Sequence, residues 1–375
     1  IGLAATLGRS FSLDLLATAS ELDEASLQGA FDELWQRRLL CEYSPFTYDF
    51  AHDLLREAAY RRLTPPHRRL LHRRLAIAME STFNDEGATL SAQVAEQFEA
   101  GGQPERAIHY HALAAETATA VFALADAIRH YDRALALLAE RPPGAARDRR
   151  ELALSEALVS PLAALHGYAA PRVGDTIERS VTLGERLGET RETDRGRAAL
   201  CWHRFVQGRM QESADLAQYL AAPQTRTGWR RQALSLPLFG LGRHQEALDC
   251  LQGDTPETED DDRHLFGFHA TVLVRGAEAH LHWLVGQAGE ATATPASSLR
   301  LADASGQPFE VAIAHGYAAI TYHLLGDRER TDEHAATLRR HCTRYGFAYY
   351  GEWGRILAGR LTSGAAGEAL IRQGI

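Results

Sequence analysis

The chain contains no lysine: all 40 of its basic residues are arginine. That excludes a phosphate-loop lysine and a Schiff-base lysine from this segment. Its four cysteines, Cys41, Cys201, Cys250 and Cys342, lie far apart and form no CxxC pair. They are expected to be small core residues in a reducing cytoplasm rather than disulfides or zinc ligands. β-Branched residues are sparse beside alanine and leucine, which favours helix over sheet. No apolar run approaches the roughly 20 residues needed to span a membrane. There is no signal or targeting pattern, and a chain opening at Ile1 without an initiator methionine is expected to be a piece of a longer polypeptide.

Chemistry-bearing motifs are missing too. Seventeen histidines invite a search for metal sites, but no HExxH occurs. His109 with His111, and His280 with His282, lie two residues apart and so on different faces of a helix. Neither a GxSxG elbow nor a GxGxxG turn is present. The expectation is a chain that is not an enzyme and has no cofactor or metal of its own. The formal charge of −9 argues against the chain as a whole binding nucleic acid.

What is present reads as helices. Phe11 to Ala19 is a short amphipathic segment that Ser10 or Ser12 could cap. Asp23 to Arg38 is a helix with Leu27, Phe31, Leu34 and Trp35 on one stripe. Leu39 to Phe50 reads as a two-stranded wing turning at Ser44-Pro45. Residues 1–63 are therefore expected to form a winged-helix-like unit. Its would-be recognition helix carries Asp23, Glu24, Asp32 and Glu33, a poor match to phosphate, so a packing or regulatory role is favoured over DNA reading. The basic stretch that follows, with Arg56, Arg61, Arg62, Arg68, Arg69, Arg73 and Arg74, has almost no interleaved aromatics. It is read as two helices joined at Thr64-Pro65-Pro66, with arginines facing solvent or nearby carboxylates.

From about residue 90 a register repeats. Gly102, Gly208, Gly242, Gly286 and Gly326 are each followed five residues later by a small residue: Ala107, Ser213, Ala247, Ala291 and Thr331. Seven residues before each glycine stands another: Ala95, Cys201, Ser235, Ala279 and Ala319. This is the pattern of antiparallel helix pairs, with glycine ending the first helix and small residues where the two cross. Gly208, Gly242, Gly286 and Gly326 lie 34, 44 and 40 residues apart, the first spacing being the tetratricopeptide period. Residues 64–140 are expected to form a first helical-repeat block, 141–150 a linker around Arg141-Pro142-Pro143-Gly144, and 151–375 a tetratricopeptide-like solenoid. The acidic stretch Asp254 to Asp262 is expected to be an exposed loop. The fold class is thus all-α, an α-solenoid preceded by a small winged-helix unit.

A solenoid has a groove, and positions six and three before the glycine share one face of each first helix. They are Trp202 with Phe205, His280 with Trp283, and Ile320 with His323. Large residues there would either anchor a partner or pack against the next repeat, and core packing is the favoured reading.

The run from Phe50 through His52, Asp53 and Arg56 to Tyr60, followed by Leu71-His72-Arg73-Arg74-Leu75-Ala76, resembles the junction that follows the ATPase core of bacterial STAND-type signalling proteins. Arg204-Phe205-Val206-Gln207-Gly208-Arg209, Ala279 to Leu284 and Phe347 to Gly354 are similar to the sensor arm of one branch. That branch holds transcriptional regulators of the SARP and bacterial transcriptional activation domain group, and some adenylate and guanylate cyclases carry a similar arm. The resemblance implies a cytoplasmic regulatory arm whose partners are its own upstream ATPase domain and a protein or small-molecule effector in the groove. ATP and magnesium would belong to that upstream domain, whose Walker motifs are not in this sequence. A cyclase-controlling arm and a free-standing scaffold remain the alternatives.

Overall fold

A computed structural model describes residues 1–8, 10–82, 87–220, 228–252 and 264–374. The Asp254–Asp262 stretch lies outside them. Over the described residues the chain is an all-α helical-repeat solenoid with one small sheet near its start. It divides into two compact units, residues 1–121 with 129–142, and residues 122–128 with 143–375.

In the first unit, α1 (Gly2–Leu7), β1 (Ser10–Ser12), α2 (Leu13–Ala19) and α3 (Glu24–Gln36) precede β2 (Leu40–Ser44) and β3 (Thr47–Phe50). The Ser12 hydroxyl caps α2 by accepting from Leu15 N–H at 3.2 Å, and the Asp23 carboxylate caps α3 through Ser26 N–H at 2.8 Å. The expected two-stranded wing gains a third strand, since β1 pairs antiparallel with β3 and the order is β1-β3-β2. Three residues are too few to show alternation, which is why Ser10–Ser12 read as a cap alone. Phe11 on β1 closes the core with Leu16, Leu40 and Phe50. Cys41 corrects an expectation: it lies exposed on β2 rather than in a core.

Helices α4 (Asp53–Arg61), α5 (Pro65–Thr82), α6 (Gly87–Ala100), α7 (Pro104–Ala120) and α8 (Leu124–Ala139) follow. Arginines of the basic stretch have partners inside the chain. Arg56 pairs with Asp53 at 2.9 Å and Arg61 with Glu57 at 2.5 Å, while Arg74 reaches Glu21. Arg68 donates to the carbonyls of Tyr60 and Arg61.

After residues 122–128, which include the start of α8, the second unit continues with α9 (Ala145–His166), so the stretch taken for a linker up to residue 150 is already helix from Ala145. Then come α10 (Pro171–Leu187), α11 (Thr190–Val206), α12 (Met210–Gln218), α13 (Gly228–Gly240) and α14 (His244–Leu251). The chain continues with α15 (Ala270–Leu284), α16 (Ala288–Ala293), α17 (Pro295–Ser305) and α18 (Pro308–Leu324). It ends with α19 (Arg328–Tyr345), α20 (Ala348–Leu361) and α21 (Ala365–Gly374).

The glycine register is realised atom by atom. Gly102, Gly208, Gly242, Gly286 and Gly326 all have φ between 69° and 83°, the left-handed conformation that other residues resist. The N–H of the residue after each glycine donates to the carbonyl five residues back, at 2.8–2.9 Å, which closes the first helix. Every flanking small residue is buried. Within one pair the two small positions touch, because the Ser213 hydroxyl donates to the Cys201 carbonyl at 2.9 Å.

The structure adds a sixth turn that carries no glycine. Phe122 has φ 59°, with Ala115 seven residues before it and Ala127 five after, both fully buried. The α7–α8 pair therefore keeps the register with phenylalanine in the glycine's place.

Candidate functional site

The second unit encloses a cavity of about 260 Å³ on one face of its first helices. Its walls follow from the register. Trp202 of α11, Leu236 of α13, His280 of α15 and Ile320 of α18 each stand six residues before a turn glycine, and all four line it. One helical turn on, Phe205 and Phe239 line it as well. Residues one turn earlier, Ala277 on α15 and Tyr317 on α18, complete the stripe. Tyr349 and Trp353 of α20 close it. Four helices thus contribute the same position, and the cavity is a product of the repeat.

Helix spacing explains why the cavity is narrow. Gly276 sits where α15 meets α18, and a β-carbon there would come within 2.7 Å of the Tyr317 side chain. Glycine allows the approach that stacks the His280 imidazole on the Tyr317 ring at 4.9 Å between centroids. Tyr317 then meets Trp353 edge-on at 5.4 Å, and Trp353 packs 5.4 Å from Tyr349. On the opposite wall, Trp202 lies against the fully buried Tyr168 at 5.4 Å and beside Phe205 at 6.3 Å. Such edge-on and offset ring pairs contribute roughly 0.5–1.5 kcal/mol each beyond their buried area.

No lining side chain is an acid, an arginine or a lysine. His280 Nε2 lies 3.0 Å from the Tyr317 carbonyl. A carbonyl only accepts, so Nε2 carries the proton and Nδ1 presents a lone pair. Burial pushes the imidazole down to about 4, against the smaller upward pull of that hydrogen bond, so it is neutral at physiological pH. Burial likewise pushes the Tyr349 phenol up to about 12. The Trp202 indole nitrogen is buried with no hydrogen-bond partner among the described residues.

Of the sequence-nominated residues, the structure brings together Trp202, Phe205, His280 and Ile320. Trp283 and His323 do not line the cavity; both are half-buried, at the third position before their glycines. Trp202 is 1% exposed, as core packing requires, and also forms part of the cavity wall. Sequence reasoning missed Leu236 and Phe239, although counting back from Gly242 finds them. It also missed Tyr317 and the pair Tyr349 and Trp353, whose helix carries no turn glycine to count from.

Among the described residues, no group of three or more His, Cys, Asp and Glu is placed to hold a metal. Among them, no helix is long and apolar enough to cross a membrane.

No family model matches the chain, and no curated protein matches it. Solved structures do. One is a signal transduction ATPase with numerous domains (STAND) with a tetratricopeptide repeat sensor, from Pyrococcus horikoshii, at TM-score 0.35 and 10% identity. The match covers 99% of this chain and 61% of that one, so the chain spans less than two thirds of its neighbour's length.

Proposed function

We propose that the chain is the sensor and autoinhibitory arm of a STAND-type bacterial transcriptional regulator, acting by binding rather than by catalysis. The observation that carries this is the convergence of Trp202, Leu236, His280 and Ile320, one register position repeated in four helices, on a single uncharged cavity. A repeat array that devotes the same position of successive helices to one concave wall is built to hold something there. The residue-level resemblance of Phe50 to Tyr60 and of Phe347 to Gly354 to the STAND arm supplies the setting.

The first unit supports a docking role. Its helix–strand–helix–helix–strand–strand order with a three-stranded sheet is that of a winged helix. The helix that would enter a groove, α3, exposes Glu24, Asp32 and Glu33. Those carboxylates repel phosphate, so this unit packs on a protein, the regulator's own ATPase domain. Effector binding in the cavity would shift the parent between closed and open states by differential affinity for the two.

The test is the coding sequence upstream of Ile1. An ATPase with Walker motifs preceded by a DNA-binding output domain is the expected result. A cyclase domain in the output position would reassign the arm to a cyclase, and an upstream sequence without an ATPase would overturn the reading.

A further inference from the structure

The polar atoms of the cavity wall restrict what it can hold. The Trp202 indole nitrogen is buried behind the wall of rings and offers the cavity no accessible surface. The neutral His280 leaves Nδ1 as an acceptor, since Nε2 is committed to the Tyr317 carbonyl. The remaining wall is hydrocarbon and aromatic, apart from the hydroxyls of Ser235, Tyr317 and Tyr349 and the Trp353 indole. A cavity of about 260 Å³ is larger than the ~150 Å³ that accommodates benzene, and by proportion takes about ten non-hydrogen atoms.

Extending the sensor reading above, on which this inference rests, we propose that the effector is a small, uncharged, flat molecule of one or two rings. It carries a donor for His280 Nδ1, as a neutral lactam, amide or phenol-type compound does.

Three features discriminate against other ligands. An ion would lose its hydration to a wall with no charged side chain to replace it. A sugar brings a hydroxyl on almost every carbon, more polar groups than this wall can pair. A flat ring fits because His280, Tyr317, Trp353 and Trp202 offer faces and edges. The His280 Nδ1 acceptor in such a wall gives selectivity, because a ligand donor pairs with it and a hydrocarbon does not.

The test titrates the chain calorimetrically at neutral pH with four probes. They are the bicyclic lactam carbostyril, naphthalene of the same shape, the anion quinaldate, and methyl glucoside. Carbostyril is expected to bind one to one, naphthalene about tenfold more weakly for want of the hydrogen bond, and the other two not at all. His280→Phe keeps a ring but removes the Nδ1 acceptor, and should weaken carbostyril about three- to tenfold while leaving naphthalene unchanged. Two independent filling variants, Ala277→Phe and Ile320→Trp, should each abolish carbostyril binding with the helical circular dichroism intact. Failure of both neutral probes to bind the folded native chain overturns the inference. So does preferential binding of quinaldate or the glucoside, or carbostyril binding that survives both filling variants. None of these outcomes touches the upstream sequence, which decides the sensor reading separately.

Discussion

The two units use one helix-pair register and diverge at one position of it. Six residues before the turn, the second unit places Trp202, Leu236, His280 and Ile320, all facing the cavity. Counting back six from Gly102 and from Phe122 gives Glu96 and Glu116, both in the first unit and both exposed. The flanking small positions do not diverge: Ala95, Ala107 and Ala115 are as buried as Cys201, Ser213, Ala279 and Ala291. Position −7 and position +5 hold a helix pair together, and position −6 is free for whatever the repeat is to do. Specialisation here is a matter of one side chain per pair.

The largest expected effect tests that asymmetry. Trp202→Ala should cost about 3–5 kcal/mol, the usual range for truncating a fully buried aromatic, because it removes contacts to Tyr168 and Phe205 together. Glu116→Ala, at the same register position, should stay within about 0.5 kcal/mol. Urea unfolding of the two variants measures both. Comparable losses would mean that −6 is structural in both units and the division of labour is wrong.

The next effect tests the shared part. Ala107→Leu and Ala247→Leu enlarge the second-helix crossing residue of one pair in each unit, where no space remains. Each should destabilise by about 1–3 kcal/mol, since overpacking forces neighbours off their rotamers. A neutral result in either unit would show that its glycine spacing does not mark a helix crossing.

Protonation sharpens the comparison further, through two histidine pairs in equivalent places. His111 Nδ1 lies 3.0 Å from His130 Nδ1, and His315 Nδ1 lies 2.9 Å from His334 Nδ1, each pair standing eleven before and eight after its turn residue. One shared hydrogen bond needs one ring proton, so a doubly protonated pair is broken. Their surroundings differ. His111 has Glu99 at 3.2 Å, which offsets part of the downward push of burial. His315 is pushed down to about 4 by burial, with His334, His341 and Arg340 adding to it. Burial also lowers His280 to about 4 and His264, whose Nδ1 accepts from Phe266 N–H, to about 3.

A histidine held neutral in the fold contributes stability that is full above its unfolded pKa near 6.5 and falls as pH drops towards its folded value. Between about pH 6.5 and 4, each of these three should therefore destabilise the second unit progressively as pH falls. Glu99, whose carboxyl is lowered chiefly by the Arg133 hydrogen bond, contributes stability that is lost only below about pH 4.5, the ordinary range of a glutamate. Amide exchange at about pH 7 and pH 5 should show the second unit losing protection first. Earlier loss in α6 and α7 would reverse the assignment.

How much of this was legible in the sequence depends on how locally each feature is encoded. The five glycine turns were legible because left-handed backbone all but requires glycine there. The Ser12 cap was legible for the same kind of reason, a side chain bonding its own neighbour. Strand β1 was not, because three residues become a strand only through β3, more than thirty residues away. Half of the site was legible as a face, but that Trp202 and Ile320 bound one cavity while Trp283 and His323 do not depends on the turn of each helix against its neighbours.

The sixth turn escaped because Phe122 holds by tertiary contact what the other turns hold by backbone freedom. Its ring packs against Tyr345 at 5.1 Å and Phe347 at 5.4 Å, contacts no glycine can make. A non-glycine residue in the left-handed region costs roughly 1–2 kcal/mol, and the half-buried ring must exceed that for the turn to persist. The smallest expected effect follows as a difference between two variants. Phe122→Ala loses the ring and keeps the strain, while Phe122→Gly loses the ring and relieves it. Both should be less stable than the native chain, and the glycine variant should recover about 1 kcal/mol relative to alanine in thermal or urea unfolding. If glycine and alanine prove equally destabilising, the turn at 122 relaxes out of the left-handed conformation when the ring is removed. The register then belongs to the five glycine turns alone.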